Sequence, residues 1–160
     1  MIDIIKRTLT SVAIPCVLEP PGLSSNDGKR PDGMTTIPWQ RGKPLTWDVT
    51  VVDSLAPSRR LQSGSAATDA EQRKSQKYNQ LVGRGYLFQP IALDVQGNYG
   101  SATAAFFDTL TKKLSEHSNE SRSIAFFHQR ISTTLQQYNH SCVIGTAREE
   151  HRVLDEIFVL

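Results

Sequence analysis

Cysteine is almost absent from this chain. Cys16 and Cys142 are the only two in 160 residues and lie far apart, which excludes a disulfide framework and a metal knuckle and makes a reducing compartment the default. No apolar run approaches the length of a membrane span, so no membrane partner is expected. The opening Met1-Ile2-Asp3-Ile4-Ile5-Lys6-Arg7 is too short and too charged for a signal peptide. The expected location is therefore intracellular. Zinc spacing is also missing: His117, His128, His140 and His151 form no ligand pairs, and His140-Ser141-Cys142 lacks a second pair. There is no Gly-x-Ser-x-Gly elbow, phosphate loop or dinucleotide fingerprint, which sets aside the chemistries that depend on them. Internal repeats and low-complexity tracts are absent. Charge of one sign is lacking too, since a net charge of +2 is too small to argue for nucleic acid by itself.

What is present reads as one ordinary domain with a real core, at 38% hydrophobic and 21% charged residues. Ile4, Ile5, Leu9 and Val12 approach helical spacing over residues 2–12. Ala13 to Leu18 reads as an edge strand, because Pro15 interrupts it. After a Pro/Gly/Ser loop, Met34 to Ile37 is a second strand. Pro44 to Val52 is the strongest, with Leu45, Trp47, Val49 and Val51 alternating with Thr46, Asp48, Thr50 and Val52. The short turn at Arg41-Gly42-Lys43 predicts that the second and third strands pair as a hairpin. A helix is predicted from about Ala66 to Leu81, and Gly83 can stop it. Tyr86 to Val95 is a fourth strand containing Pro90. Two helices follow, one holding Ala105, Phe106, Leu110 and Leu114, the other the apolar stripe Ile124, Phe127, Ile131, Leu135 and Tyr138. This order predicts an α/β sandwich over residues 1–147, with 148–160 as a charged C-terminal tail.

The chemistry-bearing residues fall in the first half. Asp48 sits mid-strand, where Asp is depleted. It is either a solvent-facing acid on the polar face or a carboxylate aimed at a metal. Asp32 opens the preceding strand within Pro31-Asp32-Gly33, a good turn tripeptide, and a hairpin register could bring it to Asp48. On the following helix Ala67, Ala70, Lys74, Tyr78 and Leu81 share a side, with Lys77 at the flank. A lysine on a packing face is paired, or its stem snorkels to the edge. Glu19, ending the first strand, is a possible third acid, while Asp53 and Asp94 are weaker candidates. Two acids and a lysine are the minimal kit for holding a divalent metal against a phosphodiester. Basic residues cluster in the same half: Lys29, Arg30, Arg41 and Lys43, then Arg59 and Arg60, then Arg73, Lys74 and Lys77.

The succession Arg30-Pro31-Asp32, Asp48-Val49-Thr50 and Lys74-Ser75-Gln76-Lys77-Tyr78 resembles the restriction-like endonuclease domain of site-specific non-LTR retrotransposons. That domain belongs to the PD-(D/E)XK nuclease fold, whose core order of helix, three strands, helix and strand is similar to that expected over residues 2–95. The whole chain resembles animal proteins encoded beside reverse transcriptases, through the Arg-Pro-Asp-Gly stretch, the Trp-Asp-x-Thr strand and Gln129-Arg130-Ile131. The resemblance implies a restriction-endonuclease-like core with two extra C-terminal helices. It implies that Asp32 and Asp48 are ligands of Mg²⁺ or Mn²⁺; Glu19, the candidate third acid read from the residues, would be a further ligand. Lys74 or Lys77 would replace the lysine usual two residues after the second acid, where Thr50 stands here, and Tyr78 would support that lysine. Arg30, Lys43, Arg59 and Arg60 would contact the DNA backbone.

The implied function is metal-dependent DNA endonuclease activity associated with a retroelement. DNA is the implied partner, together with a reverse transcriptase domain or polyprotein, and the nucleus is the implied location. The rival expectation is an inactive DNA- or protein-binding module that keeps the same fold. A third is a structural partner of a polyprotein that docks through the last two helices.

Overall fold

The computed structural model describes residues 1–23, 28, 30–54 and 65–146. Helix α1 (Ile2–Ser11) leads into three strands, β1 (Cys16–Leu18), β2 (Gly33–Thr35) and β3 (Leu45–Val52). Helices α2 (Ser65–Lys77) and α3 (Asn79–Gly83) cross over to β4 (Leu87–Asp94), and α4 (Ser101–Ser118) and α5 (Ser123–Thr146) complete the fold. The four strands lie in chain order, the first two pairings antiparallel and β3–β4 parallel. The chain is therefore α/β, with an open mixed sheet.

The alternation along β3 decides the layers, because successive side chains point to opposite faces. Leu45, Trp47 and Val49 face the main core with Ile91 and Leu93 of β4, under side chains from α1, α4 and α5. On the other face Ala92 and Val52 pack on Ala67 and Ala70 of α2, and Phe88 and Met34 pack on Tyr78 and Leu81. A parallel pair is found where both faces are covered, and here each has its helices. Trp47, Phe107, Ile131 and Leu135 are among the buried residues, and a Phe, Ile or Leu side chain stabilises by about 1.5–3 kcal/mol when fully buried. Pro90 lies on β4, at the sheet's edge, where its missing N–H costs no interior ladder bond.

Several boundaries differ from expectation for visible reasons. The first strand is shorter than Ala13–Leu18, since Ala13 adopts a left-handed φ of 60°. The second runs Gly33–Thr35 rather than Met34–Ile37. Its ladder stops where the Thr35 hydroxyl accepts from Leu45 N–H (2.9 Å) and donates to the Ile37 carbonyl (2.7 Å), doing the work of backbone pairing. The helix expected over 66–81 breaks at Tyr78 into α2 and α3. The proposed tail at 148–160 lies outside the described residues.

Candidate active site

Three acids lie in a row at one end of the sheet. The β1–β2 register pairs Leu18 with Gly33, and Glu19 N–H donates to the Asp32 carbonyl one step further on (3.0 Å). The β2–β3 register pairs Gly33 with Trp47, so the same step sets Asp32 opposite Asp48. Residues opposite one another share a face, which carries all three carboxylates to one place.

Helix α2 closes over this row. Asp48 is only 4% exposed, so of its two expected placements the solvent-facing one does not hold, because α2 covers the polar face of β3. Its Oδ2 is ion-paired with Lys74 Nζ, and its Oδ1 accepts from the Tyr78 hydroxyl at 3.4 Å. The single Tyr78 proton is shared with the Arg30 carbonyl, the nearer acceptor at 3.0 Å, and the ring is buried. Lys77 lies 5.0 Å from the centre of that ring. The Lys74 side chain remains 27% exposed, so its ammonium reaches the acid while its edge meets solvent. Arg30 is salt-bridged to Glu19 at 2.8 Å on the exposed rim.

Asp32 holds the open end of the hairpin. Val49 N–H points toward β2 beyond the last ladder pair, and Asp32 Oδ2 accepts from it at 2.6 Å. Burial pushes the Asp32 carboxyl above its ordinary value; the Val49 bond opposes this, the Asp48 charge adds to it, Lys74 opposes it and Glu19 adds to it. Together Glu19, Gly28, Arg30, Asp32, Asp48, Lys74, Lys77 and Tyr78 line an open cleft of about 380 Å³.

The other expected residues stand apart. Lys43 lies in the turn at the far end of the hairpin, five residues along the strand from Asp48 and so roughly 16 Å away. It does not line the cleft. Arg59 and Arg60 lie outside the described residues. Asp94 is a loop staple, its carboxylate accepting from Gln96 and Asn98 backbone N–H and from the Asn98 amide. His128 bonds the Tyr99 hydroxyl (3.2 Å) within an aromatic cluster remote from the cleft.

One residue escaped sequence reasoning. Glu71, buried at 4% exposure, accepts from Ala102 N–H (3.0 Å), Thr103 N–H (2.7 Å) and the Thr103 hydroxyl (2.6 Å). It caps the first turn of α4 from another helix, and Gly100 leaves room for it, since a Cβ there would overlap the carboxylate. The signal was in the sequence: Glu71 is four residues after Ala67 and three before Lys74, on the packing stripe itself.

Carboxylate oxygens are the donors that hard divalent cations use, and Mg²⁺ commonly takes one or two of them plus water and phosphate. Among the described residues no His, Cys, Asp or Glu side chains form a closed cage of three. The converging negative charges at Asp32 are nonetheless the environment that a cation relieves. The donor chemistry thus fits such an ion, with Asp32 and Asp48 as holders and Glu19 at the rim. Lys74 already takes one oxygen of Asp48. No family model and no curated protein matches this chain.

Proposed function

We propose that the cleft hydrolyses DNA phosphodiesters with a divalent metal, in a domain of the restriction-endonuclease-like PD-(D/E)XK kind. One observation carries the reading. Asp32, Asp48, Lys74, Lys77 and Tyr78, distant in sequence, line a single cleft with Glu19 and Arg30. The element order of helix, three strands, helical crossover and strand agrees with such a core. A retroelement association with a reverse transcriptase partner, and a nuclear location, belong to the same reading through the resemblance of the motifs.

A metal bound by Asp32 and Asp48 would polarise the phosphate and supply a more acidic water. The chain's own residues do the rest. Asp48 is held in place from one side by Lys74 and from the other by the Tyr78 hydroxyl. Lys74 and Lys77 bring positive charge to the mouth of the cleft, where charge on a phosphorane develops. Arg30 on the rim faces a passing phosphate, a contact that positions the duplex without reading it.

The test is nicking of supercoiled plasmid with Mg²⁺ or Mn²⁺, comparing the wild type with Asp48→Ala and with Lys74→Ala/Lys77→Ala. Metal-dependent nicking that both variants lose supports the reading. Its absence from a folded protein that still shifts DNA favours the second reading, a binding module. That reading has its own support: Thr50 stands two residues after Asp48, and Lys74 neutralises Asp48 directly.

A further inference from the structure

We propose that Lys74 is a built-in competitor of the divalent cation at Asp48. Its ammonium balances the buried carboxylate, and a cation taking that carboxylate drives the lysine out toward the mouth of the cleft. This rests on the metal-dependent reading of the site.

Asp48 is nearly enclosed, and a carboxylate so placed requires a counter-charge or strong hydrogen bonds. The tyrosine contact to Oδ1 is long, at 3.4 Å. Asp32 and Glu19 line the same cleft and add negative charge. Lys74 is therefore the main compensation for Asp48. An ammonium within bonding distance of Oδ2 and a divalent ion on the same carboxylate repel one another, so binding of one weakens binding of the other.

The structure also gives the lysine somewhere to go. Its side chain is partly exposed, and a flexible four-carbon stem lets the ammonium swing without moving α2. Glu71 fixes the helix one turn earlier through three bonds to α4. Displacement is thus confined to the side chain. It moves a cation from a carboxylate into the space where a phosphate would lie.

The experiment measures Mn²⁺ binding to the full chain by electron paramagnetic resonance. The proteins are wild type, Lys74→Gln, Lys74→Arg and Asp48→Asn, each checked for native near-ultraviolet circular dichroism. Loss of the competing charge in K74Q should tighten binding by about fivefold or more. K74R, which keeps the charge, should not tighten it, and D48N should abolish it. Binding by K74Q no tighter than wild type overturns the proposal, as does undiminished binding by D48N or no binding by any form.

A second readout needs no variant that might fail to fold. In wild-type protein carrying ¹³C-labelled lysine, the Lys74 ε-carbon resonance should move as Mg²⁺ is added, and an unmoved resonance overturns the proposal. Failure of the nuclease reading is separable. Competition without plasmid nicking removes the enzyme and leaves the exchange. Nicking with unchanged Mn²⁺ affinity in K74Q removes the exchange and leaves the enzyme.

Discussion

Gly33 lies directly beneath the indole of Trp47, its partner across the β2–β3 ladder, and a Cβ on Gly33 would overlap the ring. The turn-like Pro31-Asp32-Gly33 therefore has two duties in adjacent residues. Asp32 serves the cleft on one face, and Gly33 makes room for the largest core side chain on the other.

Replacing Gly33 with alanine should cost about 1–3 kcal/mol, the usual penalty for overpacking a full core. Urea unfolding should show a lower midpoint at unchanged slope. A midpoint equal to wild type would mean that the indole is not held against β2.

Glu71→Ala leaves two backbone N–H groups and the Thr103 hydroxyl at the start of α4 without their acceptor. A hydrogen bond to a charged group contributes about 1.5–3 kcal/mol, so a loss of at least that size is expected in thermal unfolding. Glu71→Gln, which keeps one acceptor oxygen, should fall between alanine and wild type. Equal stability of E71A and wild type would refute the cap.

The raised Asp32 pKa fixes the sign of a pH effect. The folded chain holds a proton that the unfolded chain, at the ordinary 3.8, has already released. This contribution is complete below 3.8 and is lost as pH rises through the higher folded value. Asp32→Asn keeps an acceptor for Val49 N–H and removes the titration. The stability of wild type relative to D32N should therefore fall as pH rises from the acid side toward neutrality. Denaturant curves at stepped pH check it, and a difference that grows with pH contradicts it.

The two thiols should react unequally. Cys16 is half-buried, donates to the Ile14 carbonyl (3.2 Å) and has its thiol pushed up to about 11, mainly by burial. Cys142 is exposed on α5. A disulfide reagent near neutral pH should modify Cys142 quickly and Cys16 only slowly, since the thiolate is the nucleophile. Mass spectrometry of the peptides reads the order, and faster labelling of Cys16 would overturn it.

The order of elements was legible because β3 alternates cleanly and α5 carries Phe127, Ile131 and Leu135 at helical spacing, all buried in the structure. That Asp32 and Asp48 could meet was legible from the hairpin, while the register that sets them opposite one another is given by the Gly33–Trp47 pairing of the structure. Burial of Asp48 was not legible, because alternation assigns a face without saying what covers it. The break at Tyr78 was hidden as well, since nothing in the helical spacing marks it and the partner of its hydroxyl, the Arg30 carbonyl, lies 48 residues away. Lys43 was grouped with the acids by nearness in sequence, although a turn end and an open end of one hairpin are its opposite extremes. Glu71 was passed over because its partners belong to a helix 31 residues later.

The parallel pairing of β3 with β4 has a kinetic consequence. The acids meet through a hairpin of short sequence span, which closes quickly. Their lysines arrive with the crossover between β3 and β4, whose closure has a larger entropic cost and belongs to slower, non-local folding. In refolding, the cleft's negative charges would come together before its positive ones, so the balanced site exists only once the chain has completed its longest connection.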